Sequence, residues 1–246
     1  MYLSILLPSL MALYALYKNK LTMPGIILAW ACGFFICYFG GLLTFTALAV
    51  TIILIMITDK MKKTSEDKTR TIYQIIGNLL IPTICIILYT LTNNHIFYVM
   101  YYAVLGASLA DSLASGIGSF SKGKVVNILT MKKVSRGESG GVSLLGNLAA
   151  LGGGILIASI YLVKIINYKN FILIAFMGIF GSTVDSVLGI LFQGKYQCKI
   201  CKKTIEVTEH CGQKTKLIKG FAFFDNNTVN LLSNVIIFIL SYLILI

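Results

Sequence analysis

Residues 171–192 read F-I-L-I-A-F-M-G-I-F-G-S-T-V-D-S-V-L-G-I-L-F, and this stretch decides the fold class. Its only charged side chain is Asp185. A helix needs about 20 predominantly apolar residues to cross the hydrocarbon core of a bilayer. Only helices and closed barrels satisfy their backbone hydrogen bonds inside lipid, so an unbroken apolar run of this length predicts a transmembrane helix.

Seven other apolar segments make the chain strongly hydrophobic. Of its 246 residues, 57% are hydrophobic and 12% are charged, whereas a soluble domain is about a quarter charged. The segments are Tyr2–Tyr17, Met23–Tyr38, Leu42–Thr58, Ile72–Leu91, Ile96–Phe120, Val142–Val163 and Thr228–Ile246. We predict an all-α, polytopic integral membrane protein with about eight transmembrane helices, within a range of seven to nine, in a single transmembrane domain over residues 1–246. This composition excludes an ordinary soluble enzyme and a disordered, fibrous or disulfide-stapled protein.

The basic residues lie in loops and predict an orientation. The formal net charge is +12, and the loops 59–71, 121–141 and 193–227 hold most of the 21 Lys and Arg residues. Placing both termini outside puts nineteen of these 21 on the cytoplasmic side, as the positive-inside rule requires. We therefore expect a multi-pass protein of the cell membrane whose large basic loops and active site are cytoplasmic. The excess positive charge then faces anionic lipid and does not indicate a nucleic-acid partner.

Two carboxylates lie inside apolar segments. Asp111 stands in G-A-S-L-A-D-S-L-A-S-G-I-G, and Asp185 stands in G-S-T-V-D-S-V-L-G. A charge in hydrocarbon is costly, so such residues usually face an interior cavity and mark a site. The small residues around both would let a metal ion or a phosphate approach the backbone. We predict a site role for each, with a proton relay or a helix-packing role as the alternative.

The loop after Asp111 has the composition of an anion site. It combines basic residues with small ones, and a helix is predicted to begin near Val142. The residues concerned are Lys132, Lys133, Ser135, Arg136, Ser139, Gly140 and Gly141. Free backbone N–H groups at a glycine-rich turn before a helix bind anions. A loop that only sets topology is the alternative, but together with two aspartates this loop favours phosphate and Mg²⁺ chemistry.

A dense polar cluster precedes the last apolar segment. Its members are Asp225, Asn226, Asn227 and Asn230. One side chain suffices to cap a helix. We therefore predict that Asp225 is a third Mg²⁺ ligand and that the asparagines help to bind the nucleotide or phosphate. Gln74 and Asn78, one turn apart in the fourth segment, are expected to line the substrate cavity.

The last loop carries a metal-binding pattern. Cys198 and Cys201 form a C-x2-C pair, and His210 and Cys211 follow in the same loop. This spacing is typical of a structural zinc site, and thiols on the cytoplasmic side stay reduced. We predict a small zinc-binding insertion within the cytoplasmic loop 193–227. His210 is the expected fourth ligand, although it is adjacent to Cys211 and both must turn toward one metal.

Several motifs together resemble a membrane protein family that is defined by a domain of unknown function. This family includes transmembrane protein 19 and the plant phytyl-phosphate kinase. The matching stretches are K-L-T-M-P-G-I at 20–26, T-I-Y-Q-I-I-G-N at 71–78, A-D-S-L-A-S at 110–115, S-G-G-V-S-L-L-G at 139–146, G-S-T-V-D-S-V-L-G-I-L-F-Q at 181–193 and D-N-N-T-V-N at 225–230. The chain is also distantly similar to CTP-dependent polyprenol kinases and CDP-lipid synthases. It departs from the family at Ala110 and Gly116, where Gly and Glu are usual, and at Glu138, where Thr is commoner.

The resemblance implies an all-helical membrane enzyme that phosphorylates an isoprenoid monophosphate with a nucleoside triphosphate such as CTP. Phosphoryl transfer depends mainly on positioning and charge neutralisation. The residues support this chemistry, with Asp111 and Asp185 holding Mg²⁺ and with Lys133 and Arg136 neutralising the developing charge. Two other functions remain open: a cytidylyltransferase that makes a CDP-lipid, and a transporter without nucleotide chemistry.

Overall fold

The computed structural model describes residues 2–61, 69–134 and 138–246. The described chain is a helical bundle, so the predicted helical membrane fold is confirmed. Its helices are α1 (Tyr2–Tyr17), α2 (Met23–Phe35), which continues as a π-helical turn (Ile36–Gly40), α3 (Leu42–Met61), α4 (Ile72–Thr92), α5 (His95–Gly118), α6 (Leu144–Leu162), α7 (Tyr168–Phe192) and α8 (Asn226–Leu245).

Seven of these helices are long and apolar enough to cross a membrane, when α2 and its π-helical turn are taken as one span. Helix α1 is shorter, with 16 residues. At 1.5 Å per residue it is about 24 Å long, less than the hydrocarbon thickness of about 30 Å. The sequence predicted a span at this segment, and the helix forms there with the predicted bounds, but it does not reach the length of the other seven.

Helix α5 is the centre of the bundle. Its most apolar window is 78% buried, against 28–39% for the other six spans. Tyr98, Tyr101 and Tyr102 are fully buried, and their hydroxyls are satisfied in part by each other and by the backbone of α3. Helices α3, α4, α6, α7 and α8 all pack against α5. Helix α5, which carries Asp111, therefore contacts each of these five helices.

Glycines allow α6 and α7 to approach closely. A Cβ on Gly178 of α7 would lie 2.6 Å from the Cα of Gly154 on α6. On the other face of α6, a Cβ on Gly153 would lie 3.1 Å from the Cα of Ala110 on α5. Small residues at helix contacts are the usual means of close packing in membranes. This contact holds α5, α6 and α7 together directly beside Asp111.

The two loops that follow α5 and α7 contain short β-strands. These strands were not predicted from the sequence. They are β1 (Val126–Asn127), β2 (Gly141–Val142), β3 (Lys195–Gln197), β4 (Thr204–Ile205), β5 (Glu209–His210), β6 (Gln213–Lys214) and β7 (Lys216–Lys219). β1 pairs with β2, β3 pairs with β4 and β7, and β5 pairs with β6, all antiparallel. A hydrogen bond from the Ser139 backbone N–H to Glu206 joins the two loops, so both lie at the same end of the bundle.

Candidate active site

A small polar cavity lies inside the bundle where α4, α5, α7 and α8 meet. It is lined by Asn78, Ala107, Ser108, Asp111, Asp185, Asn230, Ser233 and Asn234. Its volume of about 10 Å³ is roughly the space that one water molecule or one small ion needs. The cavity can therefore hold an ion between the helices, while any larger ligand must bind outside it.

The two intramembrane aspartates meet at this cavity. Asp111 lies two turns before the end of α5, and Asp185 lies two turns before the end of α7. Both carboxylates line the same cavity. With its amide oriented so that the nitrogen faces acceptors, Asn230 donates to Asp185 Oδ2 at 3.0 Å. The sequence reasoning assigned both aspartates to one Mg²⁺ site, and the fold brings both to the same cavity.

Polar side chains of α8 fix the walls of the cavity. Asn234 donates to the carbonyl of Gly77 on α4 at 2.8 Å and accepts from Ser108 on α5 at 3.0 Å. Ser233 donates to the carbonyl of Gly181 on α7 at 3.1 Å. A buried amide that bonds to two other helices is costly to displace, because its partners would lose their hydrogen bonds. Helix α8 thus holds the two aspartate-bearing helices at a fixed separation.

The donor set fits a magnesium ion. Mg²⁺ is usually bound by one or two protein carboxylates, with substrate phosphate oxygens and water completing its shell. Asp111 and Asp185 supply two carboxylates at one cavity of ionic size. Like charges near each other in an apolar interior are unfavourable unless a cation lies between them. The chemistry of this pair therefore suits a divalent cation better than an apolar ligand.

Other residues predicted for this site lie beside the cavity. Asp225 is exposed and caps α8, accepting from the Thr228 backbone N–H at 2.8 Å and from its hydroxyl at 2.9 Å. Asn227 donates to Asp225, and Gln74 caps α4 through the Thr71 N–H. Asp225 and Gln74 therefore both serve as helix caps in this structure. Of the polar residues predicted on α4 and α8, Asn78 and Asn230 line the cavity, and Asn226 accepts from Asn230 through its carbonyl.

A second, cationic pocket lies beyond the end of α5. Lys122, Lys124 and Lys133 line it together with Gly123, Val125 and Val134, and its volume is about 360 Å³. Binding pockets for small molecules occupy about 300–1,000 Å³. Among the described residues, no carboxylate forms an ion pair with these three lysines. We call it the lysine pocket. Lys132, also predicted to bind phosphate, is exposed next to it and does not line it.

The glycine loop, residues 138–143, packs against α7 beside Asp185. Gly140 has a φ of 73°, and a Cβ there would overlap the side chain of Ile190 and lie 2.9 Å from the carbonyl oxygen of Ser186. The loop then ends at Ser143, whose side chain caps α6 by accepting from the Gly146 N–H at 3.1 Å. Of the predicted residues, Gly140 therefore contacts α7 at Ser186, next to Asp185, and Ser139 contacts it at Gly189, while Gly141 packs against Val125 and Val134. Ser135 and Arg136 lie outside the described residues.

The four predicted zinc ligands converge in the last loop. The sulfur atoms of Cys198, Cys201 and Cys211 and a ring nitrogen of His210 all lie within 4.8 Å of one another. A tetrahedral site with Zn–S bonds of about 2.3 Å has ligand separations of about 3.8 Å. Cys211 and Gly212 both have positive φ and form a two-residue hairpin turn, which lets two adjacent residues face one metal. Hydrogen bonds, first of all from the Cys201 backbone N–H, lower the pKa of the Cys198 thiol to about 6.

We predict one zinc ion per chain in protein purified without chelator, because three thiols and an imidazole are arranged at ligand distances. Elemental analysis measures the stoichiometry. The double variant Cys198→Ser/Cys201→Ser should lose the metal and melt at a lower temperature, since folding of such small loops depends on their metal. The chelator 1,10-phenanthroline should act in the same way and its non-chelating 1,7 isomer should not. Metal-free protein of unchanged stability would contradict the prediction.

Several residues of these sites were not singled out from the sequence. Ser233 and Asn234 carry a detectable signal, because Asn226, Asn230 and Asn234 recur every fourth residue and share one face of α8. Lys122 and Lys124 were counted only as orientation signals. Glu206 and Gln193 bond to the glycine loop from distant positions in the chain, and one sequence contains no signal of that pairing.

The chain has relatives among known membrane proteins. An uncharacterised membrane protein of Methanocaldococcus jannaschii is 28% identical over 201 residues, which cover 79% of this chain and 84% of that protein. Protein PGR of Arabidopsis thaliana is 25% identical over 268 residues, which cover 94% of this chain and 91% of that protein. No solved structure matches the chain. Residues 6–238 match the family described as integral membrane protein DUF92, and the chain therefore belongs to this family of multi-pass integral membrane proteins.

Proposed function

We propose that this protein is a membrane-embedded kinase that transfers a phosphoryl group from a nucleoside triphosphate, such as CTP, to an isoprenoid monophosphate. The bond between the γ-phosphorus and the bridging oxygen of the β-phosphate breaks, and a phosphate oxygen of the lipid forms the new bond. A nucleoside diphosphate leaves. The acceptor oxygen is already anionic, so the reaction needs no general base, in agreement with a cavity lined by carboxylates, amides and hydroxyls.

The observation that carries the proposal is the meeting of Asp111 and Asp185 in a cavity of ionic size within the bundle. Asp111 lies about 10 Å along the helix axis from Gly118, the last residue of α5. The lysine pocket begins four residues further on. A nucleoside polyphosphate that spans this distance would contact the lysines at one end and approach Asp111 and Asp185 at the other. The lipid acceptor would reach the same edge of the bundle from the bilayer.

Each group has a role in this proposal. Asp111 and Asp185 would hold Mg²⁺, which supplies charge neutralisation on the phosphates when bound. Lys133 and the other lysines of the pocket attract and orient the polyphosphate, as cationic groups do in phosphoryl transfer. The glycine loop packs against α7 next to Asp185 and would shape the edge of the site there. Zinc, in contrast, would be structural, because four protein ligands leave no open position on it.

The proposed orientation follows from the same loops. The lysine pocket, the glycine loop and the last loop lie at one end of the bundle, where most of the basic residues collect. The positive-inside rule assigns this end to the cytoplasm, where nucleoside triphosphates are available. We therefore place the active site at the cytoplasmic edge of the cell membrane and, with α1 crossing as an eighth span, both termini outside.

The purified protein in lipid nanodiscs, supplied with Mg²⁺, CTP or ATP and a panel of prenyl monophosphates, tests the proposal. The kinase releases a nucleoside diphosphate only when an accepted lipid is present. Pyrophosphate release would instead identify a cytidylyltransferase. Movement of the prenyl monophosphate across the membrane without nucleotide turnover would identify a transporter. Either of these two results would overturn the proposal.

Lys133→Ala and Lys124→Ala should each lower kcat/KM for the nucleotide by about tenfold to a hundredfold, mainly by raising KM. Each removes a charge-assisted contact to phosphate, worth about 1.5–3 kcal/mol. Steady-state kinetics over a range of nucleotide concentrations measures the effect. Lys169→Ala is the matched control, because Lys169 is an exposed lysine in the first turn of α7, at the other end of that helix from Asp185. If both pocket variants behave like this control, the lysines serve only to set topology.

A further inference from the structure

We propose that the last loop acts as a brace that holds the glycine loop in place, with Glu206 as the positioning residue. We call residues 193–224 the insertion. The expected kinetic effects of the brace rest on the proposed kinase function, whereas the contacts that form it do not. The insertion contributes no residue to the cavity of Asp111 and Asp185. Its effect on chemistry must therefore pass through the glycine loop.

Glu206 binds the glycine loop through its carboxylate. Its Oε1 accepts from the backbone N–H of Ser139 at 3.1 Å, and its Oε2 accepts from the side-chain amide of Gln193 at 2.9 Å. The oxygen of the Gln193 side chain in turn accepts from the hydroxyl of Ser139 at 2.9 Å. These three bonds close a ring around Ser139. Since a carboxylate accepts more strongly than a neutral group, the ring fixes the direction of the Ser139 backbone.

A second contact joins the insertion to the residue before Ser139. Lys195, in β3, is 8% exposed and donates to Glu138 Oε1 at 2.9 Å. A buried lysine that lost this carboxylate would be left without its charge partner, which is strongly unfavourable. Glu138 and Ser139 are thus both held by side chains of the insertion, and the next residue, Gly140, is the one that abuts α7.

The glycine loop transmits the brace to the candidate active site. Gly140 packs against the carbonyl of Ser186, the residue that follows Asp185 in α7. Ser139 packs against the backbone of α7 at Gly189, one turn further along. A loop released from Glu206 would still be tied to α6 at Ser143 and to Lys195 at Glu138, but the Ser139 backbone N–H between them would have lost its acceptor. The backbone around Ser139 and Gly140 would then be held less firmly against α7 beside Asp185.

The zinc-ligand cluster lies at the far end of the strands that carry the brace. Glu206 directly follows β4, and Cys198 directly follows β3, its partner strand. Cys201 lies in the turn between these strands. The metal would hold the turn closed and so keep Glu206 and Gln193 in register with each other. The insertion therefore couples metal binding to the position of the glycine loop.

Hydrogen–deuterium exchange of the intact protein in nanodiscs tests the brace without any assumption about activity. In Glu206→Ala the amide of Ser139 should exchange about tenfold faster, because it loses an acceptor. Glu206→Gln keeps an acceptor oxygen and should restore slow exchange. Glu209→Ala, which removes an exposed carboxylate elsewhere in the insertion, is the matched control. If Glu206→Ala does not purify, Glu206→Asp withdraws the carboxylate by one carbon and should give the same change.

Kinetics then separates positioning from a general loss of structure. Glu206→Ala should raise KM for the nucleotide about tenfold with little change in kcat, and Glu206→Gln should return KM toward the wild-type value. Wild-type exchange at Ser139 in Glu206→Ala would overturn the brace, whether or not the protein turns over nucleotide. Faster exchange at Ser139 in Glu206→Ala, together with no nucleotide turnover by the wild-type protein, would instead leave the brace intact and reject the kinase function alone.

Discussion

Asp111→Asn and Asp185→Asn are each expected to lower turnover by about a hundredfold to a thousandfold, a loss typical of a removed electrostatic contact to the transition state. The substitution keeps the shape of the side chain and removes its charge. Because the two carboxylates line one cavity, either change halves the charge available to a divalent cation. Initial rates at saturating lipid and nucleotide measure the effect. Both variants should insert and purify, since an amide is less costly than a carboxylate in a membrane interior.

Asp59→Asn is the control for these two variants. Asp59 is an exposed acid near the end of α3 that pairs with Arg70, away from the cavity. It should retain wild-type turnover. An Asp111 or Asp185 variant with near-wild-type activity would remove that residue from the metal-site proposal. Loss of activity in Asp59→Asn as well would show that turnover responds to any change of acidic charge.

Gly140→Ala is expected to lower kcat/KM for the nucleotide by about a hundredfold, because a displacement of about 1 Å at a catalytic site has effects of this size. The positive φ of Gly140 costs an L-residue about 1–2 kcal/mol. The added methyl group would also overlap Ile190 and press on the Ser186 carbonyl, next to Asp185. The glycine loop must then move away from α7. Nucleotide titrations of the rate measure the change.

Gly152→Ala is the matched control, because it adds the same methyl group to a glycine of α6 that has open space around it. Alanine also favours a helix more than glycine does. This variant should keep its activity and be at least as stable as the wild type. Wild-type kinetics in Gly140→Ala would show that the position of the glycine loop does not matter for nucleotide use.

The helices could be predicted from the sequence because their signal is local. A span in lipid requires a long apolar run, and such runs identified all eight helices to within a few residues; α5, for example, was predicted at Ile96–Phe120 and lies at His95–Gly118. The strands could not be predicted in this way. Those of the insertion are two to four residues long, too short for an alternating pattern to be detected.

The candidate site was predictable in part for the same reason. Asp111 and Asp185 stand out because a charge inside an apolar run is unusual. Their meeting depends on how α5 packs against α7, which a single sequence does not specify. Glu206 and Ser139 are 67 residues apart, and their contact depends on the folding of two loops. Asp225 illustrates the opposite case, since its residue type and position suit a helix cap as well as a metal ligand, and the structure places it at the cap.

In the proposed reaction, the γ-phosphoryl group of a nucleoside triphosphate passes to a prenyl monophosphate at the site of Asp111 and Asp185. Wild-type protein in nanodiscs can be given CTP or ATP labelled with ³²P at either the α- or the γ-position, and the radioactivity of the extracted lipid can be counted. We expect label in the lipid from the γ-position alone, and about a hundredfold to a thousandfold less of it with Asp185→Asn. Label from the α-position, or an unlabelled lipid from both nucleotides, would contradict it.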